Sequence, residues 1–278
     1  MRTKSILVTR TSPVAIIWLA RPDIRNAIDG HMVQELDAAL ASLDADSSVR
    51  AVVLAAQGPV FCAGGDVGWM QRMAESSVAV NSRDAHAMAS LLQRLDKLRK
   101  PTLARVHGAA FAGGLGLIAA CDIVVSSLDT DFCVSETRLG LAATTIAPYL
   151  VRAMGERQAR RYLQTGEVFT AAEAYRIGVV HELVPPEDLD TKVNDVLGHL
   201  MLAGPMALPA TKEIIGRIVA NPDSRKIAVS MASQFAEMRA SPEGKEGISA
   251  FLEKRRPAWV RTGTDRTSPQ KSQAKRRR

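Results

Sequence analysis

Residues 102–126, TLARVHGAAFAGGLGLIAACDIVVS, hold two apolar runs joined by a glycine-rich turn. Thr102 to Val106 reads as a strand, Gly108 to Gly116 as a turn that passes into an apolar helix, and Asp122 to Ser126 as a second strand. Short apolar runs bounded by glycine suit strands buried on both faces, and a helical connection between neighbours is what a parallel sheet needs. This stretch therefore predicts an α/β protein.

The same rhythm continues on either side. Two strands are expected at Ser5 to Arg10 and Val14 to Leu19, separated by a Ser12-Pro13 turn, and Arg21-Pro22 ends that sheet edge. From Asp29 to Leu43, Met32, Val33, Leu36, Leu40 and Leu43 recur at helical spacing, with Asp29 as N-cap. A strand at Arg50 to Ala55, a Gly58-Pro59 turn and a helix from about Arg83 to Leu98 follow. Beyond Pro148 the only β signal is Val179 to Val184, and helical patterns run from Pro186 to Lys254. The expected organisation is an α/β core over residues 1–200, a helical region over 201–260 and a basic tail over 261–278. In the helical pattern 227–240, Ala228, Met231, Ala232, Phe235 and Met238 share an apolar face, for packing within the subunit or between subunits.

Composition excludes several classes. With 278 residues, 46% hydrophobic and 23% charged, the chain is an ordinary globular sequence rather than a disordered or fibrous one. The formal charge of +7 sits mainly in the tail, where seven Lys or Arg face Asp265 alone. The body is near neutral and carries no field that would draw nucleic acid. Three cysteines without a C-x-x-C pair and five scattered histidines predict a reducing compartment and no metal site. The apolar run Val14 to Ala20 is too short for a signal segment or a membrane span, so a cytoplasmic location is expected.

Two turns suit anion binding. Ala63-Gly64-Gly65-Asp66 and Ala112-Gly113-Gly114 each follow a predicted strand and open a helix, leaving backbone N–H groups with partial positive charge. Together they could hold one oxyanion, although such turns also serve packing alone. Gly108 to Gly116 lacks the G-x-G-x-x-G spacing of a dinucleotide site. Glu136 lies in the apolar stretch Phe132 to Leu141, where burial would raise its pKa toward that of a general base. If that stretch is extended, Arg138 shares its face and a plain ion pair is the competing reading. Trp69, Met70 and Met73 either line an apolar pocket or belong to the core. Cys62 reads as a small buried filler.

Arg21-Pro22 with Asn26-Ala27, Phe61 to Asp66, His107-Gly108 with Gly113-Gly114, Ala120 to Ile123, Glu136 with Leu139 to Leu141, and Glu246 to Arg255 form an ordered set. On it, residues 4 to 260 resemble the enoyl-CoA hydratase/isomerase (crotonase) superfamily. The resemblance implies a spiral of ββα units with a helical C-terminal region that builds a homotrimer or a hexamer, a dimer of trimers. It implies an acyl-CoA thioester substrate with no cofactor beyond coenzyme A, which is part of that substrate. It implies Gly65 and Gly113 as oxyanion donors and Glu136 as the acid/base. Arg25, Ala63, Asp66 and Trp69 are placed on the substrate and CoA side of the site, and Phe251 and Lys254 reach the CoA of a neighbouring subunit.

One departure stands out. Hydratases of the best-known type carry a second glutamate three residues after the oxyanion glycine, and here that position is Gly116. Asp66 to Ala74, Ala104 to Gly108, and Phe132 to Leu141 with Pro148-Tyr149 are similar to bacterial methylglutaconyl-CoA and carboxygeranoyl-CoA hydratases. Their substrates bear a distal carboxylate, which Arg138 or Arg72 would recognise. Hydration of an enoyl-CoA is the leading expectation, with a Δ3,Δ2-enoyl-CoA isomerase as the alternative. RNA binding through the tail and an inactive CoA-binding relative are more distant readings.

Overall fold

A computed structural model describes residues 4–220 and 224–260, so the basic tail lies outside the described residues. In chain order the elements begin with β1 (Ile6–Thr11), β2 (Val14–Leu19), α1 (Gly30–Ala45), β3 (Ala51–Ala56), α2 (Val67–Ala74) and α3 (Val78–Lys97). Next come β4 (Thr102–Val106), β5 (Ala109–Phe111), α4 (Gly113–Ala119), β6 (Ile123–Ser127) and β7 (Asp131–Cys133). They continue with α5 (Ala147–Thr165), β8 (Val168–Thr170), α6 (Ala171–Arg176), β9 (Glu182–Val184) and α7 (Leu189–Leu202). The last are α8 (Ala207–Ala220), α9 (Ser224–Ala240) and α10 (Pro242–Leu252).

A six-stranded sheet runs β1-β2-β3-β4-β6-β9, antiparallel at β1 and β2 and parallel elsewhere. A second sheet runs β5-β7-β8. Bridges from Ile28 to Gly65 and from Cys62 to Ala110 carry the loops before α1 and α2 onto it. The chain thus repeats a long strand in the first sheet, a short extended piece in the second, and a helix, which is the expected ββα spiral.

β3 shows why the sequence folds this way. Its run AVVLAA is buried throughout, as a strand covered on both faces must be. Val52, Leu54 and Ala56 join the main core with α1, α3, α4 and α5, while Ala51, Val53 and Ala55 meet Leu189, Val193 and Leu197 of α7. Asp29 caps α1 as expected, its side chain accepting from the Met32 N–H. The C-terminal helices are tied on at few points. Arg50 donates to the carbonyls of Met201, Ala203 and Trp259, and Lys212 pairs with Asp122 at 2.8 Å.

Several expectations are corrected. The glycine-rich turn from Gly108 contains β5, and β8 lies within a stretch that carries no clear β signal. Three-residue strands are too short to show a period of two, so their pairing is decided by the second sheet alone. Of the run Val179 to Val184, only Glu182–Val184 is strand, while Val179 and Val180 fill the core. Phe132 to Leu141 is not extended: after β7 it closes a 3-10 turn at Glu136–Leu139, ended by Gly140 at φ 73°. Glu136 and Arg138 therefore do not share a strand face, and no ion pair between them occurs among the described residues.

Candidate active site

The two glycine turns are brought together by the second sheet. The Cys62 N–H donates to the Ala109 carbonyl (3.0 Å), and the Phe111 N–H returns to the Cys62 carbonyl (2.9 Å). Gly64, at φ 105°, lets the chain turn, and its carbonyl accepts from the Ile28 N–H (2.8 Å). The Asp66 N–H then donates to the Ile28 carbonyl (2.8 Å), which passes over Gly65. In the other turn the Ala112 N–H donates to the Cys133 carbonyl (2.9 Å), and Gly113 opens α4. The N–H groups of Gly65 and Gly113 have no hydrogen-bond partner among the described residues.

Glu136 follows Cys133 by three residues, so the same bond that fixes the Gly113 turn also fixes the start of the glutamate turn. Its Oε2 atom is buried without a hydrogen-bond partner, as is the Thr137 hydroxyl. Burial pushes the Glu136 carboxyl above the usual glutamate range. Arg138 is exposed and lies along Gly166, its Nε 3.2 Å from where a Cβ there would stand.

The surroundings of the glycines are apolar. A Cβ at Gly65 would meet Met70 Sδ at 3.1 Å and Trp69 Cζ3 at 3.4 Å, and one at Gly113 would meet Ile28 Cδ1 at 3.2 Å and Met88 Cε at 3.4 Å. Trp69, Met70 and Met73 are half-buried, which favours lining over core. The Trp69 indole N–H donates to Asp84 Oδ1 (3.3 Å). Asp66 caps α2 by accepting from the Trp69 backbone N–H (2.8 Å), and its other oxygen meets Arg21 at 3.3 Å. Arg21 also pairs with Asp29 at 2.9 Å, so one guanidinium ties the N-caps of α1 and α2 together. Cys62 is fully buried and packs on Gly114, and burial pushes its thiol up to about 12, far from a reactive thiolate.

Gly116 is closed off. A Cβ there would lie 2.2 Å from Ile146 Cγ2 and 2.8 Å from its Cβ, and Ile146 is buried. The remaining residues singled out in the sequence are dispersed over the surface. Arg25 and Ala63 are exposed and joined by the Ala63 N–H to the Arg25 carbonyl (3.0 Å), and Arg72 is exposed in the last turn of α2. Phe251 and Lys254 are exposed at the end of α10. Asp84, Met88 and Ile146 escaped the sequence reading, which took Arg21 as a sheet-edge and motif residue without a role in the caps. A cleft of about 330 Å³ beside Trp18, Gly58, Arg105 and His107 reaches Gly108 but is lined by none of residues 63–66 or 112–114, and its arginine is paired with Asp190. Among the described residues no group of His, Cys, Asp and Glu could hold a metal ion, and no helix is long and apolar enough to cross a membrane.

A family model described as enoyl-CoA hydratase/isomerase matches residues 9–262. The crotonyl-CoA hydratase of Syntrophomonas wolfei is 29% identical over 94% of this chain and 99% of its own length. The crystal structure of an enoyl-CoA hydratase from Shewanella pealeana superposes with a TM-score of 0.89 at 35% identity, covering 92% of this chain and 96% of that one. An enoyl-CoA hydratase/isomerase from Marinobacter aquaeolei gives a TM-score of 0.89 at 30% identity, covering 93% and 100%. With the ββα spiral and the two glycine turns in place, the chain has the crotonase fold and belongs to the enoyl-CoA hydratase/isomerase family of enzymes.

Proposed function

We propose that this enzyme adds water across the C2–C3 double bond of a 2-enoyl-CoA, with Glu136 as the only carboxylate that handles the proton. The observation that carries the reading is the buried, unpartnered Glu136 oxygen three residues past Cys133, whose carbonyl holds the Gly113 turn. Burying a polar atom without a partner is costly, and such groups concentrate where chemistry needs them.

In this reading the Glu136 carboxylate takes a proton from water as the water oxygen bonds to C3. The π electrons move to the thioester oxygen, which becomes an enolate held by the Gly65 and Gly113 N–H groups. Each donor contributes roughly 3–4 kcal/mol to the transition state. The enolate then collapses and C2 takes the proton from Glu136, which restores the carboxylate and completes the addition of one water. Ile146 occupies the space a second glutamate at position 116 would need, so one group serves both transfers.

The same closure favours a second reading, a Δ3,Δ2-enoyl-CoA isomerase in which Glu136 moves a proton from C2 to C4. Arg25 and Ala63 contact CoA, Asp66 orders the loop beside it, and Phe251 and Lys254 reach a neighbouring subunit's CoA within a homotrimer or hexamer. The exposed Val229 and Phe235 of α9 suit burial between subunits. Arg72 or Arg138 would meet a distal carboxylate, as in a methylglutaconyl-type substrate.

The test is turnover of crotonyl-CoA, 3-methylglutaconyl-CoA and a cis-3-enoyl-CoA with products identified by mass. A gain of one water on a 2-enoyl ester supports hydration, and bond migration at constant mass replaces it with isomerisation. Glu136→Gln should keep ester binding and lose about 100-fold or more in kcat. Near-normal turnover would remove Glu136 from the mechanism.

A further inference from the structure

Helix α3 presents one stripe to the protein interior, Asp84, Met88, Leu91 and Leu95, at intervals of four, three and four. Leu91 and Leu95 are buried, Met88 packs on the core and reaches Gly113, and Asp84 puts a carboxylate where the pattern calls for an apolar side chain. No ion pair or second side-chain hydrogen bond of Asp84 occurs among the described residues. Its Oδ1 accepts from the Trp69 indole N–H at 3.3 Å and would stand 3.3 Å from a Cβ at Gly30. Burial pushes its carboxyl above the usual aspartate range. The indole held at this end lies at its other end, Cζ3, against Gly65.

We propose that Asp84 is a positioning residue that fixes the Trp69 indole against Gly65, so that the ring forms the rigid wall of the acyl pocket beside the oxyanion donor. This rests on the reading of Gly65 as a donor to the thioester oxygen. A half-buried carboxylate on an apolar stripe is costly, and the hydrogen bond from the indole offsets part of that cost while holding the ring in one orientation. α2 gives Trp69 little other constraint, because none of its residues is fully buried. A ring free to rotate about χ1 and χ2 would leave the acyl chain without a fixed surface at the reacting carbons.

Asp84→Asn keeps an oxygen acceptor for the indole, whereas Asp84→Leu removes it and suits the apolar stripe, so neither change should prevent folding. With crotonyl-CoA, Asp84→Leu should lower kcat about 10- to 100-fold, the scale of a reactant displaced by about an ångström, and change KM less. Asp84→Asn should restore kcat to within about threefold, because the indole keeps its acceptor. In a Trp69→Phe background Asp84→Leu should cause no further loss. A second readout does not depend on turnover: in a Trp18→Phe, Trp259→Phe background, acrylamide quenching of Trp69 should rise with Asp84→Leu and not with Asp84→Asn. Equal losses in the Asn and Leu variants, additive effects with Trp69→Phe, or quenching unchanged by Asp84→Leu would each overturn the proposal. If the parent enzyme hydrates none of the esters while quenching follows the expected order, the hydratase reading fails and the Asp84–Trp69 coupling stands.

Discussion

Gly116→Ala adds a single methyl group at the point where the family's second glutamate would begin. Its new Cβ would stand 2.2 Å from Ile146 Cγ2, against an ordinary carbon contact of roughly 3.5–4.0 Å, so the two atoms must separate by about 1.5 Å. α4 is buried from Gly114 to Ala119, and Ile146 is the N-cap of α5, so neither side yields without moving a helix end. A contact this short belongs in the upper part of the overpacking range, about 2–3 kcal/mol, while replacing a helical glycine by alanine returns about 1 kcal/mol. The net expectation is a loss of about 1–2 kcal/mol, read as a lower urea midpoint at fixed protein concentration. Ile146→Ala alone should lose about 2–4 kcal/mol through its cavity, and the double variant should lose less than the sum by at least about 1 kcal/mol, because the new methyl enters that cavity. Gly116→Ala at or above parental stability would refute the argument. Ile146 would then give way easily, and the absence of a second glutamate would be a matter of sequence alone rather than of space.

Glu136 should show its cost in the pH dependence of stability. Its native pKa lies above the unfolded value of 4.5, so the native state binds more protons across that interval and loses stability as pH rises through it. Glu136→Gln should therefore be more stable than the parent at neutral pH, with the advantage vanishing as pH falls below the interval; urea midpoints at pH 7 and about pH 3.5 measure it, and a constant difference would contradict it. Arg21→Met leaves the two cap carboxylates Asp29 and Asp66 facing each other without their shared cation. Unfolding in urea should show a loss of about 1–3 kcal/mol, and an unchanged midpoint would mean the caps do not need it. Lys212→Met should speed amide exchange in α8 more than in β3, since it severs the Asp122 ion pair that ties this helix to the core, and equal protection in both variants would remove that role.

What was legible in the sequence follows the length of each signal. β3 is a continuous apolar run, β4 is buried except at Arg105, and α1 repeats its apolar positions at helical spacing, so local pattern and burial agree. β5, β7 and β8 have three residues each, too few to carry a period. The Glu136 turn was hidden because one glycine, Gly140, decides between a turn and an extended strand. Asp84 was hidden by a boundary. A helix begun at Arg83 makes it a first-turn acid favoured by the dipole, whereas the true start at Val78 puts it in the apolar stripe. Ile146 could not be found at all, since its contact with Gly116 spans 30 residues and exists only once α5 docks on α4.

The nearness of the two glycine turns is a product of sheet register rather than of either turn. Gly65 follows Cys62 by three residues and Gly113 follows Ala110 by three, and Cys62 and Ala110 are bridged in parallel. The two segments stay close past the bridge: a Cβ at Gly64 would stand 3.5 Å from the Ala112 Cβ, so the residues that immediately precede the two proposed donors are neighbours. The same register presses Cys62 onto Gly114, where a Cβ would stand 2.6 Å from the Cys62 Cβ. Any side chain at 114 would thus part the segments that bring the two turns together. The glycine that matters for close packing and the glycine proposed to offer its N–H are adjacent in sequence, which is why a glycine-rich turn read alone supports packing and catalysis equally well. Only the partner segment separates the two: Gly114 faces a buried thiol side chain, and Gly113 keeps a free N–H with Ile28 and Met88 beside it.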